Sequence, residues 1–362
     1  MTTWMLSETS RAPAAPYSAR FESVGAKLPE RHVTTSELLA STRHRTNIDL
    51  EKLTGIREHR VAGPDESSQS LAIDAARDCL LHSRYSPSDL DMVICASITR
   101  YVDGTEHRFE PSLASSIAQA IGATAAQAFD ISNACAGMLT GVFILNDFIR
   151  RGAIRRGMVV SGEKITGLGT NAAHDIRSIL SPQLASLTLG DGGAAVIVDR
   201  APVGEGIVLA GFTTLAEHSR LCLGLPAWDR PGARMYTRAR KIHEVAMDDG
   251  PPLLEEVLAP TGLSIGDIDW LIPHQTSVRA IRSADKVLGE KLGEHPKHMV
   301  ITVDDYGNTA STTLFLALHR YLAEQRFAAG DKIMLLSVAS GLEVGVVLFA
   351  MDGLEANRGY SH

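Results

Sequence analysis

Three residues, far apart in the chain, stand where their side chains could do chemistry. Cys135 lies in Ser132-Asn-Ala-Cys-Ala-Gly-Met138, at a predicted strand-to-helix turn. A thiol at a helix N-terminus feels the positive end of the helix dipole, which favours the thiolate and hence nucleophilic attack. Its small neighbours Ala134, Ala136 and Gly137 leave room for a carbonyl carbon to approach the sulfur. The plainer reading is a small buried hydrophobe, and Cys79, Cys95 and Cys222 are read that way. His274 closes the apolar run Trp270-Leu-Ile-Pro-His274, at the exit of a predicted strand, where α/β folds place ligands. Asn308 lies in Tyr306-Gly-Asn-Thr-Ala310, where an Asx turn or a helix cap is the competing reading. Each residue alone has an ordinary structural explanation, so the case depends on the elements that position them.

Those elements repeat. Asp89-Leu-Asp-Met-Val-Ile-Cys95 matches Asp267-Ile-Asp-Trp-Leu-Ile-Pro273, each a short apolar strand after a Ser-containing turn. Phe129-Asp-Ile-Ser-Asn-Ala-Cys135 is paired with Val303-Asp-Asp-Tyr-Gly-Asn-Thr309, both read as short strands running into helix starts. Gly157–Gly162 and Lys332–Ser337 are the next pair, and Gly193–Val198 and Gly345–Phe349 the last. Continuous apolar strands of this kind are buried on both faces by helices. The helix after Cys135 carries Met138, Leu139, Val142, Phe143, Leu145, Phe148 and Ile149, apolar nearly all round, and is expected between two sheets. The reading is an α/β chain of two pseudo-symmetric βαβ-type halves, 18–200 and 201–362, behind a flexible leader at 1–17. The stretch 199–250, rich in Gly, Pro and Arg, reads as an insertion lining or lidding a site.

In two superposable halves, Cys135 and Asn308 occupy equivalent turns and His274 ends the first strand of the second half, so all three converge. With these residues stand Thr54-Gly-Ile-Arg-Glu58, Asn133-Ala-Cys-Ala-Gly137, Leu189-Gly-Asp-Gly-Gly-Ala194, Ile272-Pro-His-Gln275 and Tyr306-Gly-Asn-Thr309. In these five motifs, and from about residue 20 to 350, the chain resembles the β-ketoacyl-ACP synthase III branch of the thiolase superfamily. The resemblance implies a thiolase-like five-layer αβαβα sandwich and a homodimer. It implies a ketosynthase, an acyltransferase that forms carbon–carbon bonds by Claisen condensation. Cys135 would carry the acyl group, His274 and Asn308 would donate to the enolate oxygen, and the backbone N–H groups of Cys135 and Ser340 would form the other oxyanion hole. Substrates would be acyl thioesters of phosphopantetheine, on CoA or on an acyl carrier protein, with no further cofactor. Arg57 and Arg279 are the candidates by resemblance for phosphate contact. Asp191 is expected to serve tight backbone packing.

Two features point away from the decarboxylating synthases. Phe109-Glu-Pro-Ser112 sets a carboxylate 25 residues before Cys135, and Ser340-Gly-Leu342 stands where those enzymes typically carry a Gly-Gly-Gly-Phe run. Both are similar to the branch that joins two acyl chains head to head, where the equivalent glutamate from the partner subunit is the general base. Glu110 is the expected base, provided burial raises its basicity; a solvated carboxylate is the competing reading. Products would be β-keto thioesters or acids, or pyrone-type metabolites. The alternatives are a decarboxylative synthase using a malonyl thioester, and an acyltransferase delivering to an alcohol or amine.

Composition bounds the rest. The chain has 362 residues, 44% hydrophobic and 21% charged, which suits a folded globular protein of about two domains. A net charge of −7 argues against nucleic acid as a partner. Four cysteines without CxxC spacing suggest neither a disulfide framework nor a metal site. No secretory leader and no membrane span are expected, and the expected location is the cytoplasm.

Overall fold

The computed structural model describes residues 4–6, 15–44, 48–103, 106–354. Two sheets face one another across a layer of helices. The five-stranded sheet runs Ser18–Lys27, Gly192–Ala201, Arg156–Glu163, Met92–Cys95, Gln127–Asp130 in spatial order. The six-stranded sheet runs Met5–Leu6, Ile207–Thr214, Glu343–Ala350, Lys332–Ala339, Trp270–Pro273, His298–Met299. Leaving out the short first strand, the two orders are equivalent: two antiparallel pairings, then two parallel ones.

The helices complete five layers, as the thiolase-like reading requires. Gly137–Arg150 and Thr313–Ala323 lie between the sheets, where Met138, Leu139, Val142 and Leu145 share one core with Phe315, Leu318 and the inner faces of both sheets. A helix apolar all round can be stable only in such a place. Ser68–Leu81 and Leu113–Ile121 cover the outside of the first sheet. Ala239–Leu258 and Val278–Leu292 cover the second, through Val245, Leu253, Leu254, Val257 and Leu288.

Three expectations need correction. Val303–Thr309 is no strand: Val303–Tyr306 is a short helix, and the paired strand is His298–Met299. The Gln275 side-chain oxygen accepts from the N–H groups of Thr302 and Val303, which occupies the donors a strand would need. The insertion expected at 199–250 contains a core strand, Ile207–Thr214, whose buried Ile207, Leu209 and Ala210 lie in the second sheet. What lines the site is the hairpin Cys222–Pro226/Ala233–Thr237 and the helix after it. The expected leader is tied down at its start, where Trp4 is buried and Met5–Leu6 pair with Phe212 and Gly211. Tyr17, at its end, stacks under the Arg200 guanidinium, 3.5 Å from the ring centre. Residues 1–3 and 7–14 of that leader fall outside the described part.

Candidate active site

A cavity of about 1400 Å³ runs from the turn at Cys135 to the space between the two helices outside the second sheet. Cys135, His274, Asn308 and Ser340 all line it. Its far walls are apolar, including Leu215, Val245, Leu253, Leu254, Val287 and Leu288.

Each polar group arrives on its own local device. After Gln127–Asp130 the chain makes a single tight turn, Ala134–Ala136, with Ala134 at φ +44°, and enters the helix at Gly137. A Cβ on Gly137 would lie 2.9 Å from the carbonyl oxygen of Ala96. Glycine therefore lets the helix start against the strand end and sets the sulfur over the cavity. His274 extends the ladder of Trp270–Pro273, its N–H donating to Leu336 O at 2.7 Å. Gln275 behind it is wholly buried; its amide donates to Pro273 O and Val300 O while its oxygen holds Thr302 and Val303. That staple ties the histidine loop to the segment leading to Asn308.

Asn308 is registered on the other half. Its N–H donates to Thr188 O at 2.8 Å, and the Gly190 N–H donates to its carbonyl at 3.0 Å. The Oδ1 atom accepts from Ala310 N at 3.0 Å, which leaves the Nδ2 amide as the donor for the cavity. The Leu189-Gly-Asp191 motif supports this bridge. Asp191 is fully buried and accepts from the N–H groups of Ala62, Ile165 and Thr166 and from the Thr166 hydroxyl. Ser340 sits at the tip joining Lys332–Ala339 to Glu343–Ala350.

The electrostatics differ from the expected thiolate. Burial, with smaller contributions from Cys222 and Glu163, pushes the Cys135 thiol up to about 12. Burial likewise holds the His274 imidazole down, to about 4. At neutral pH the resting pair is a thiol and a neutral imidazole, each kept uncharged by desolvation. His274 Nδ1 is buried with no partner, so Nε2 is the nitrogen left for a ligand.

Other expected residues lie elsewhere. Glu110 is exposed and does not line the cavity of its own chain. Arg57 lies in a separate shallow depression with Lys52 and Arg282, and its guanidinium is engaged by Asp304 and Asp305. Arg279 is exposed at the cavity mouth. Sequence reasoning missed Glu163, fully buried close behind the site. It accepts from the N–H groups of Ile98 and Thr99 and from the hydroxyls of Thr99 and Ser311, and burial raises its carboxyl. A carboxylate ending an otherwise apolar strand was the available signal. Cys222, read as packing, also lines the cavity. No helix among the described residues is long and apolar enough to cross a membrane.

The sequence profile of 3-oxoacyl-[acyl-carrier-protein] synthase III matches residues 129–214, and that of its C-terminal part matches 258–351. The β-ketoacyl-[acyl-carrier-protein] synthase III of Symbiobacterium thermophilum is 32% identical over 326 residues, covering 83% of this chain and 92% of its own. The crystal structure of the Aquifex aeolicus 3-oxoacyl-[acyl-carrier-protein] synthase III superposes with a TM-score of 0.76 at 26% identity, over 92% of this chain and 99% of that one. A Xanthomonas campestris OleA structure superposes with a TM-score of 0.81 at 20% identity, over 94% and 99%, a likeness of fold.

Proposed function

The chain belongs to the β-ketoacyl-acyl-carrier-protein synthase III family of the thiolase superfamily, and on that premise we propose that it is a ketosynthase joining two acyl thioesters without decarboxylation. The observation that carries the reading is the cavity: one sulfur, one imidazole and one carboxamide at the head of a mostly apolar space of about 1400 Å³. Small-ligand pockets usually hold about 300–1,000 Å³, so this one suits long acyl chains.

In the first step Cys135 Sγ bonds to the thioester carbon and the carbon–sulfur bond to the pantetheine arm breaks. The thiol proton leaves with the pantetheine sulfur, which departs as a thiol. The N–H groups of Cys135 and Ser340 receive the oxyanion. In the second step a thioester enters with its carbonyl oxygen between His274 Nε2 and Asn308 Nδ2, which stabilise the enolate formed when its α-proton is removed. The α-carbon then bonds to the acyl carbon, the bond to Sγ breaks, and Cys135 leaves as thiolate and returns to its thiol with the proton that the base took from the α-carbon.

The base is Glu110 of the partner subunit. Glu110 is remote from its own cavity but sits beside an open sheet edge. Among the described residues the strand Gln127–Asp130 pairs on one side only, and Asp130 holds the N–H groups of Leu113 and Ala114 just after Glu110. A second copy pairing at that edge makes the homodimer and delivers the carboxylate. Acyl-CoA or acyl carrier protein supplies the chains, with Arg279 at the mouth as the phosphate contact.

The test is Glu110→Ala with two acyl-CoAs and no malonyl donor. Acylation of Cys135, read by mass spectrometry, should persist while the condensed product falls below detection. Product at the wild-type rate overturns the assignment. The names of the synthase III relatives favour a second reading, decarboxylation of a malonyl thioester; no product from the two acyl-CoAs alone, with CO₂ released by wild type and variant alike once a malonyl thioester is added, would establish it in place of the first.

A further inference from the structure

Away from the cavity, one carboxylate and two imidazoles meet between the halves. Asp78 and His82 are four residues apart at the C-terminal end of the helix Ser68–Leu81, with His82 its cap. His319 comes from Thr313–Ala323 in the middle layer. Asp78 Oδ1 is 3.5 Å from His82 Nε2, and Oδ2 is 3.5 Å from His319 Nε2. The three donor atoms all lie within 4.8 Å of one another. None of these residues lines the cavity.

We propose that Asp78, His82 and His319 form a binding site for a zinc-class divalent cation, with solvent in the remaining position. Zinc bonds to imidazole nitrogen and carboxylate oxygen at about 2.0–2.1 Å, so tetrahedral donors stand roughly 3.3 Å apart. Each imidazole is therefore within a few tenths of an ångström of an assembled edge, His82 with Oδ1 and His319 with Oδ2, as a carboxylate chelating an ion through both oxygens would place them. The donor set suits zinc, cobalt(II) or nickel(II); magnesium and calcium favour all-oxygen shells. The supports are in place. The Ala26 N–H of the edge strand donates to Asp78 Oδ2 at 2.8 Å, which orients the carboxylate. The helix end at His82 presents the negative pole of its dipole to a cation. The side chains are 30%, 12% and 19% exposed for Asp78, His82 and His319, open enough for an ion to enter. The bound ion would tie the outer helix of the first half to the central helix of the second.

The experiment uses the full chain, freed of metal by chelator and titrated with cobalt(II) and then zinc. The expected result is one equivalent bound per chain, with cobalt d–d absorption and no thiolate-to-cobalt charge transfer. Binding should weaken about 10–100-fold or more in His319→Gln and in Asp78→Asn, and persist in Cys135→Ser. Zinc should raise the thermal midpoint of the wild type but not of His319→Gln. Absence of a bound equivalent overturns the proposal, as does unchanged binding in both site variants. A thiolate charge-transfer band lost in Cys135→Ser would assign the metal to the cavity instead. The wild-type cobalt spectrum decides without relying on any variant's stability.

Discussion

Gly190→Ala offers a direct test of how Asn308 is positioned. A Cβ at residue 190 would lie 2.0 Å from the carbonyl oxygen of Tyr306 and 3.1 Å from its carbonyl carbon. An ordinary contact needs well over 3 Å, so the Tyr306–Asn308 segment must retreat by about 1 Å or the Leu189–Asn308 bridge must open. Overpacking of this kind typically costs about 1–3 kcal/mol, which a chain of this size survives. The catalytic effect is larger, since a 1 Å misplacement of a reacting or stabilising group can cost about 10²-fold. In the proposed mechanism Asn308 acts on the second substrate alone. The expected result is a split: the rate and extent of Cys135 acylation by acyl-CoA stay within about twofold, while condensation falls about 10²-fold. Intact-mass spectrometry follows the first step and product chromatography the second, with circular dichroism confirming the fold. Condensation at the wild-type rate in a folded variant would refute the positioning argument; equal loss of both steps would refute the division of labour.

The raised thiol of Cys135 fixes a pH dependence. A group that titrates near 12 is almost wholly thiol below pH 9, so alkylation by iodoacetamide should climb about tenfold per pH unit from 6 to 9, with no plateau near 7. His274, held near 4, is neutral throughout that range and contributes no inflection. A plateau at pH 6–7 would show a thiolate–imidazolium pair instead. Leu254→Trp and Leu288→Trp fill the far end of the cavity. Each should lower kcat/KM for long-chain acyl-CoA about tenfold or more and leave short chains unchanged; equal loss across chain lengths would show that the chains do not lie there.

The sequence carried the layers because strand burial and helix burial leave different traces. Val159, Val196, Ile197 and Val347 are buried on both sides, and their continuous runs say so. The helix at Met138 to Ile149 announced its central place in the same way. His298–Met299 did not, since two residues have no period to read and the acidic helix at Val303–Tyr306 follows closely. Ile207–Thr214 was obscured because Gly211, Thr213 and Thr214 break its apolar run, although Gly211 packs directly against Leu6. Cys135, His274 and Asn308 were legible as motifs, yet the direction of the Cys135 shift was not. Local position predicts a dipole, whereas desolvation depends on walls contributed from residues 98 to 344. Gln275 and Glu163 show the same limit, because each acts through backbone groups distant in the chain.

The two halves do not merely pack; they are registered on one another at the atom that matters. His274 is held by its own sheet, through Leu336. Asn308 is held across the molecule, its backbone donating to Thr188 and accepting from Gly190 in the half that carries Cys135. The position of the carboxamide is thus set by two hydrogen bonds to the loop that Asp191 anchors, rather than by the packing of helices in the middle layer. Asp191 in turn binds Ile165 and Thr166, which follow Glu163 at the end of the strand behind Cys135. Carboxamide and buried acid therefore share one frame, and Gln275 ties the histidine loop to it through Thr302 and Val303.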